Sequence, residues 1–138
     1  MLPTFLLSLN REKKIAIFTA NSDSLDKVKE ELREQCGLDI DNMTRIIIVG
    51  CQNVPYFGEA LENGTKVPVD KVIPEMRKLA RDVVKENKGT IAGILFECTE
   101  LPPYSDTVRD ETGLPVWDAI TACNAFMAGS GRSTFPEN

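Results

Sequence analysis

One apolar stretch decides the fold class: TIAGILF at residues 90–96, which the polar residues ECTE at 97–100 follow directly. Two similar stretches precede it, KIAIFT at 14–19 and RIIIVG at 45–50. Runs that are apolar on both faces are typical of strands in a parallel sheet covered by helices on both sides. We therefore predict three buried strands at these positions.

Helical patterns alternate with these strands. Apolar residues recur at helical spacing in four segments, which begin near residues 21, 70, 102 and 118. Leu114–Trp117 contains a proline and is expected to form a short edge strand. This alternation predicts an α/β fold, with a three-layer parallel sheet of about four strands in the order 2-1-3-4 and helices on both faces. We expect residues 1–138 to form a single domain.

The composition limits the chemistry. The chain has 138 residues, of which 42% are apolar and 27% charged, with a net charge of −5 and no histidine. The absence of histidine excludes Ser-His-Asp and Cys-His catalysis and histidine-ligated zinc. Because the sequence has no dense basic stripe and no run of 18 apolar residues, we expect neither a nucleic acid nor a membrane as a partner. Four cysteines without a CxxC pair indicate free thiols, no metal site and a reducing, cytoplasmic location.

Cys98 is the strongest candidate for a catalytic residue. Ligands of parallel α/β folds bind in the crevice outside the carboxyl ends of the strands, and Cys98 follows such a strand end. We expect a helix to begin directly after it, and the N–H groups of that helix N-terminus would favour a thiolate at this position. A buried cysteine that only fills space is the alternative. Glu97 and Glu100 are candidate modulators of the thiol, although their negative charge opposes thiolate formation and a solvated or capping role is the simpler interpretation.

The loop after the first strand is a second candidate for ligand binding. Thr19, Asn21 and Ser22 carry side chains that can hold a carboxylate or a phosphate together with the N-terminus of the next helix. Simple N-capping of that helix is the alternative.

The other three cysteines have weaker claims to function. Cys51 also ends a strand, but the predicted strand order places it at the sheet edge, away from Cys98. Cys36 and Cys123 lie on predicted helices at apolar spacing, and we expect both to be packing residues.

Three segments carry a resemblance to a known family. They are IAIFTANS at residues 15–22, ILFECTELPPY at 94–104 and TGLPVWDAIT at 112–121. Together they resemble the C-terminal lobe of the aspartate/glutamate racemase superfamily, and the first segment resembles the strand and substrate loop that open this lobe. The resemblance covers nearly the whole chain. It implies one lobe of a two-lobe fold, with the active site between the lobes and the first lobe absent.

The resemblance also implies a reaction. It indicates an amino-acid racemase-like isomerase that uses a cysteine thiol and thiolate as acid and base at the substrate α-carbon, with no cofactor and no metal. Cys98 would be the thiol of the second lobe, and Thr99 with the loop at residues 19–22 would hold the substrate carboxylate. Glutamate racemases carry a histidine shortly after this cysteine. This chain has Glu100 there, which indicates the aspartate or broader branch.

An absent first lobe would leave such a site incomplete. We therefore expect a homo-oligomer (a dimer) or a separate first lobe as partner, in addition to a small carboxylate or amino-acid substrate. The apolar segment at residues 2–9 resembles the end of the crossover between lobes and would leave apolar surface exposed. Two alternatives remain open: a non-catalytic module that binds a carboxylate or an amino acid, and a redox-sensing thiol at Cys98.

Overall fold

A computed structural model of the chain describes residues 12–131, so the apolar segment at residues 2–9 lies outside the described residues. The strands are β1 (Lys14–Thr19), β2 (Ile46–Gly50), β3 (Ile91–Phe96) and β4 (Val116–Trp117). The helices are α1 (Ser22–Lys27), α2 (Lys29–Gln35), α3 (Ile40–Met43), α4 (Phe57–Glu62), α5 (Val69–Glu86), α6 (Ser105–Thr112) and α7 (Ala119–Ser130), and a 3₁₀ turn covers Pro102–Tyr104. Within residues 12–131, no helix is both long enough and apolar enough to cross a membrane.

The four strands form one parallel sheet in the order β2-β1-β3-β4. The predicted fold class and strand order are therefore confirmed. β1 lies between β2 and β3, so that Ile17 is aligned with Ile48 on one side and with Leu95 on the other. Because these three strands are parallel neighbours, their carboxyl ends lie side by side at one end of the sheet.

The two faces of β1 pack into two different hydrophobic clusters. Phe18 belongs to the larger cluster, together with Met76 of α5, and both side chains are fully buried. Ile17 points to the opposite face, where it packs in a smaller cluster with Leu25 of α1. Burying each such side chain contributes about 1.5–3 kcal/mol. Helices therefore cover both faces of the sheet, and the predicted three layers are present.

The helix expected after β1 is divided at Val28. The N–H of Val28 donates to the carbonyl of Leu25 at 3.1 Å, a short-range bond that ends α1 in a tight turn. The side chain of Val28 is 41% exposed, whereas Leu25 is buried. The apolar face that the sequence predicted for one continuous helix is therefore interrupted at this turn.

The last helix departs further from its predicted packing. Ile120, Phe126 and Met127 are 57%, 64% and 68% exposed, and Cys123 is exposed as well. The packing role predicted for Cys123 is wrong, because the two-residue strand β4 offers α7 little surface to pack against. Cys36, in contrast, is half-buried against the smaller cluster, as expected.

Asp118 connects the start of α7 to the start of α6. Its carboxylate accepts a hydrogen bond from the N–H of Thr121 at 2.7 Å, and the Thr121 hydroxyl accepts one from the N–H of Asp118 at 2.7 Å, which completes a capping box. The buried hydroxyl of Ser105 donates to the second carboxylate oxygen at 2.5 Å. Burial alone would raise the pKa of Asp118, but the hydrogen bonds from Ser105 and Thr121 outweigh it and hold this pKa below its usual value.

Replacing Asp118 should therefore destabilise the fold. We expect Asp118→Ala to lower the free energy of unfolding by about 1–3 kcal/mol, because α7 loses its cap and Ser105 loses its buried acceptor. Asp118→Asn keeps an acceptor for Thr121 and should cost less. Since the folded pKa is lowered, the charge stabilises the fold above about pH 4 and this contribution is lost as the pH falls through the folded value. Urea unfolding at pH 7 and pH 3 measures both effects. The difference in free energy of unfolding between the native chain and Asp118→Asn should shrink toward acid pH, and a difference that grows would contradict the lowered pKa of Asp118.

Candidate functional site

The carboxyl ends of β1, β2 and β3 are joined by backbone hydrogen bonds that continue the sheet beyond its strands. The N–H of Cys51, directly after β2, donates to the carbonyl of Thr19 at 2.8 Å. The N–H of Glu97, directly after β3, donates to the carbonyl of Phe18 at 2.9 Å. These two bonds hold the chain segments that follow β2 and β3 on either side of the end of β1, and together the three strand ends form the crevice in which we place the candidate site.

Cys98 is half-buried at this crevice, and its side chain packs against the larger hydrophobic cluster. Its Sγ accepts a hydrogen bond from the N–H of Glu100 at 3.5 Å. The helix predicted to begin directly after Cys98 does not do so, because Pro102 and Pro103 lie in a 3₁₀ turn and α6 begins only at Ser105. The thiol is therefore contacted by one backbone N–H of a turn where the sequence predicted the N-terminus of a helix.

Glu97 and Thr19 form a contact between the ends of β3 and β1. The hydroxyl of Thr19, which is 4% exposed, donates to the Glu97 carboxylate at 2.9 Å. Glu97 itself is exposed. This hydrogen bond fixes a negative charge in the residue next to Cys98.

Asn21 and Ser22 are both engaged in contacts that shape the loop after β1. The Asn21 side-chain oxygen accepts from the N–H groups of Asp23 and Ser24 at 2.9 and 3.3 Å, so Asn21 caps α1. The Ser22 hydroxyl accepts from the amide nitrogen of Gln52 at 2.9 Å. Both side chains keep donors that these bonds do not use, the Asn21 amide N–H₂ and the Ser22 O–H. The binding role predicted for them, and for the exposed Thr99, stays a prediction.

Gln52 is a residue that sequence reasoning missed. Its side chain folds back to Ser22, with the side-chain oxygen 3.2 Å from the Ser22 N–H and the nitrogen 2.9 Å from the hydroxyl. Gly50 makes room for it, since a Cβ at this position would overlap the Gln52 amide. A polar residue two positions after the glycine that ends the strand was the available signal.

Cys51 lies closer to Cys98 than predicted. The sequence placed it at the sheet edge, but the chain turns over the end of β1 after Gly50 and carries Cys51 into the larger cluster, where it is fully buried. Burial first, and the charge of the neighbouring Cys98 second, raise the pKa of the Cys51 thiol to about 12. Cys51 is therefore a neutral thiol at physiological pH. The expectation that it lies away from Cys98 was wrong.

The acidic and cysteine side chains of residues 12–131 do not form a metal centre. No group of three or more of them is placed to hold a metal ion in this part of the chain.

Comparison with known proteins gives relatives that share one name. Dimethylsulfoniopropionate lyase 3 of Emiliania huxleyi (strain CCMP1516) is 50% identical over 130 residues, which cover 92% of this chain and 33% of that protein. Dimethylsulfoniopropionate lyase 7 of the same strain is 49% identical over 130 residues, covering 92% and 38%. The dimethylsulfoniopropionate lyase of Durusdinium sp. clade D is 42% identical over 129 residues, covering 94% and 42%. The chain thus spans about a third of the length of the first two relatives.

No family model matches the chain, and no solved structure matches it significantly. The expected membership of the aspartate/glutamate racemase superfamily is overturned, because relatives at up to 50% identity are named for a different reaction. The amino-acid racemase and isomerase predictions are wrong for the same reason, and the non-catalytic module has no support among these relatives. The relatives are enzymes by name, which supports the prediction of an enzyme, and they are named as lyases rather than isomerases. The segments that carried the resemblance describe a fold and a thiol at its crevice, which do not fix a reaction.

The environments of the cysteines predict different reactivities. Cys51 should resist alkylation in the folded chain, because it is fully buried and a pKa of about 12 leaves roughly one thiolate in 10,000 at pH 8. Cys98 and the exposed Cys123 should react. Limited iodoacetamide labelling followed by peptide mapping measures this, and labelling in urea is the control in which Cys51 becomes available. Native-state labelling of Cys51 as fast as that of Cys123 would show that the buried placement is wrong.

Proposed function

We propose that this chain carries the thiol of a lyase site that acts on dimethylsulfoniopropionate, with Cys98 as the base. The similarity over 92% of the chain to proteins named dimethylsulfoniopropionate lyase is the observation that carries this proposal. The position of Cys98 supports it, since the thiol is half-buried at the strand-end crevice where ligands of parallel α/β folds bind.

The proposed reaction is an elimination. Its substrate is a zwitterion that has a carboxylate at one end and a dimethylsulfonium group at the other. The thiolate of Cys98 removes a proton from the carbon next to the carboxylate, and the electrons of this C–H bond form a carbon–carbon double bond. The bond to sulfur breaks, and its electron pair stays on the sulfur. Acrylate and dimethyl sulfide leave, and the proton on Cys98 returns to solvent.

The number of accessible thiols in the crevice agrees with an elimination. Racemisation needs an acid and a base on opposite faces of one carbon, whereas an elimination needs one base. Cys98 is the accessible thiol at the crevice, while its neighbour Cys51 is fully buried with a pKa raised to about 12. One half-buried thiol beside one inert thiol therefore suffices for the proposed reaction.

The substrate carboxylate has a proposed seat on the β1 side of Cys98. The amide N–H₂ of Asn21, the O–H of Ser22 and the exposed Thr99 can donate hydrogen bonds to it, since the contacts of Asn21 and Ser22 within the fold leave these donors unused. Glu97 would not contact the substrate in this arrangement, because its carboxylate already accepts a hydrogen bond from Thr19, and it would only hold the end of β1 in place.

Self-association stays a prediction. The exposed apolar side chains of α7, Ile120, Phe126 and Met127, form surface of the kind that interfaces usually bury. A dimer or a further protein segment that covers α7 is thus compatible with the proposed site. Light scattering at the protein concentrations used for activity measurements gives the oligomeric state.

Replacement of Cys98 tests the proposed reaction. The chain should release dimethyl sulfide from dimethylsulfoniopropionate, and Cys98→Ser should lower the rate by about 100-fold or more, because a serine hydroxyl is a far weaker base than a thiolate. Cys123→Ser removes an exposed thiol on α7 and should leave the rate unchanged. Gas chromatography of the released sulfide measures the rate. A substrate deuterated next to the carboxylate should react more slowly when proton removal limits the rate.

Two results would contradict the proposal. The first is the absence of dimethyl sulfide release by the native chain at any protein concentration at which it is folded. The second is release by Cys98→Ser at the rate of the native chain.

A further inference from the structure

A cleft of about 500 Å³ lies beside the crevice. One wall is the segment between α4 and α5, which contributes Lys66 and Val67, and the other is the segment after β3, which contributes Glu100, Pro103 and Tyr104. The cleft is therefore formed by two loops that are distant in the sequence, and its lining combines apolar side chains with two opposite charges.

The cleft adjoins the candidate thiol through Glu100. The Glu100 residue lines the cleft, while its backbone N–H donates to Sγ of Cys98 at 3.5 Å. A ligand held in the cleft against Glu100 is thus next to the turn that contacts the thiol. The Asn21 amide and the Ser22 hydroxyl, which are proposed to donate hydrogen bonds to the substrate carboxylate, lie on the β1 side of the same crevice. The two ends of one small molecule therefore have different places to bind.

Two groups in the cleft lack partners within the described residues. Glu100 is exposed and forms no ion pair with any residue of 12–131, Lys66 across the cleft included. Tyr104 is fully buried, and its hydroxyl has no hydrogen-bond partner in the same part of the chain. Burial first, and the charge of Glu100 second, raise the pKa of Tyr104 to about 12, so the ring is uncharged at physiological pH.

We propose that this cleft binds the dimethylsulfonium end of the substrate, with Glu100 as the residue that recognises the positive charge. This inference rests on the proposed function, since it takes its ligand from there. A sulfonium group carries no N–H and cannot be recognised by hydrogen bonds. It is recognised by an opposite charge and by apolar contact with its methyl groups. The cleft offers Glu100 for the charge, and the side chains of Val67 and Pro103 for the methyl groups.

The same lining suits the leaving group. When the bond to sulfur breaks, the cation becomes neutral dimethyl sulfide, which no longer interacts with the charge of Glu100 but still fits an apolar surface. The positive charge of Lys66 on the opposite wall disfavours a cation there, so the sulfonium group is expected on the Glu100 side. Glu100 is therefore a specificity residue in this proposal, and Lys66 sets the position of the cation.

The test compares two ligands of the same shape. In 4-methylpentanoate a neutral carbon takes the place of the sulfonium sulfur, so the ratio of its dissociation constant to that of dimethylsulfoniopropionate measures recognition of the positive charge. Isothermal titration of the full chain carrying Cys98→Ser, which should bind dimethylsulfoniopropionate without cleaving it, gives this ratio for the two ligands. Glu100→Gln should raise the dissociation constant of dimethylsulfoniopropionate about fivefold or more. It should change the dissociation constant of 4-methylpentanoate less than about twofold.

Two further variants complete the experiment. Glu86→Gln, at the end of α5, removes an exposed charge outside the cleft lining and should leave the ratio unchanged. Lys66→Gln should strengthen the binding of dimethylsulfoniopropionate, because it removes a charge that repels the sulfonium group. In the Cys98→Ser chain, a ratio of dissociation constants that Glu100→Gln leaves unchanged overturns the inference, and so does the absence of dimethylsulfoniopropionate binding.

The inference and the proposed function fail in different ways. Cys98-dependent release of dimethyl sulfide with an unchanged ligand ratio in Glu100→Gln leaves the proposed function intact and removes the inference. Charge-dependent binding through Glu100 without any release of dimethyl sulfide leaves the inference intact and removes the proposed reaction.

Discussion

The position of β1 in the middle of the sheet is the constraint on which the rest of the structure depends. Its parallel pairing with β2 and β3 places two hydrophobic clusters on opposite faces and three strand ends side by side. The ladder continues beyond the strands through the bonds of Cys51 and Glu97 to the carbonyls of Thr19 and Phe18. These bonds fix the backbone around the thiol of Cys98, so the site depends on the same pairing that forms the core.

The sequence predicted the sheet well and the site only in part, for a physical reason. Runs such as residues 91–96 are apolar on both faces, which is typical of a buried parallel strand, and the alternation of such runs with helical patterns indicated the topology. The position of Cys51 depends on how the chain turns after β2, and the start of α6 depends on the two prolines after Leu101, which continue as a 3₁₀ turn. The exposure of α7 depends on what lies beside it, which a helical pattern does not encode.

The local charge of the crevice explains why a resemblance in short segments gave a wrong reaction. Glu97 and Glu100 flank Cys98, and the hydroxyl of Thr19 holds the Glu97 carboxylate in place. In the proposed complex, the negative charge of Glu100 favours a substrate that carries a cation over a dicarboxylic amino acid. The segments shared with a racemase lobe describe the strand, the thiol and the turn, whereas in the proposed site the substrate is selected by the charge of Glu100 at the cleft.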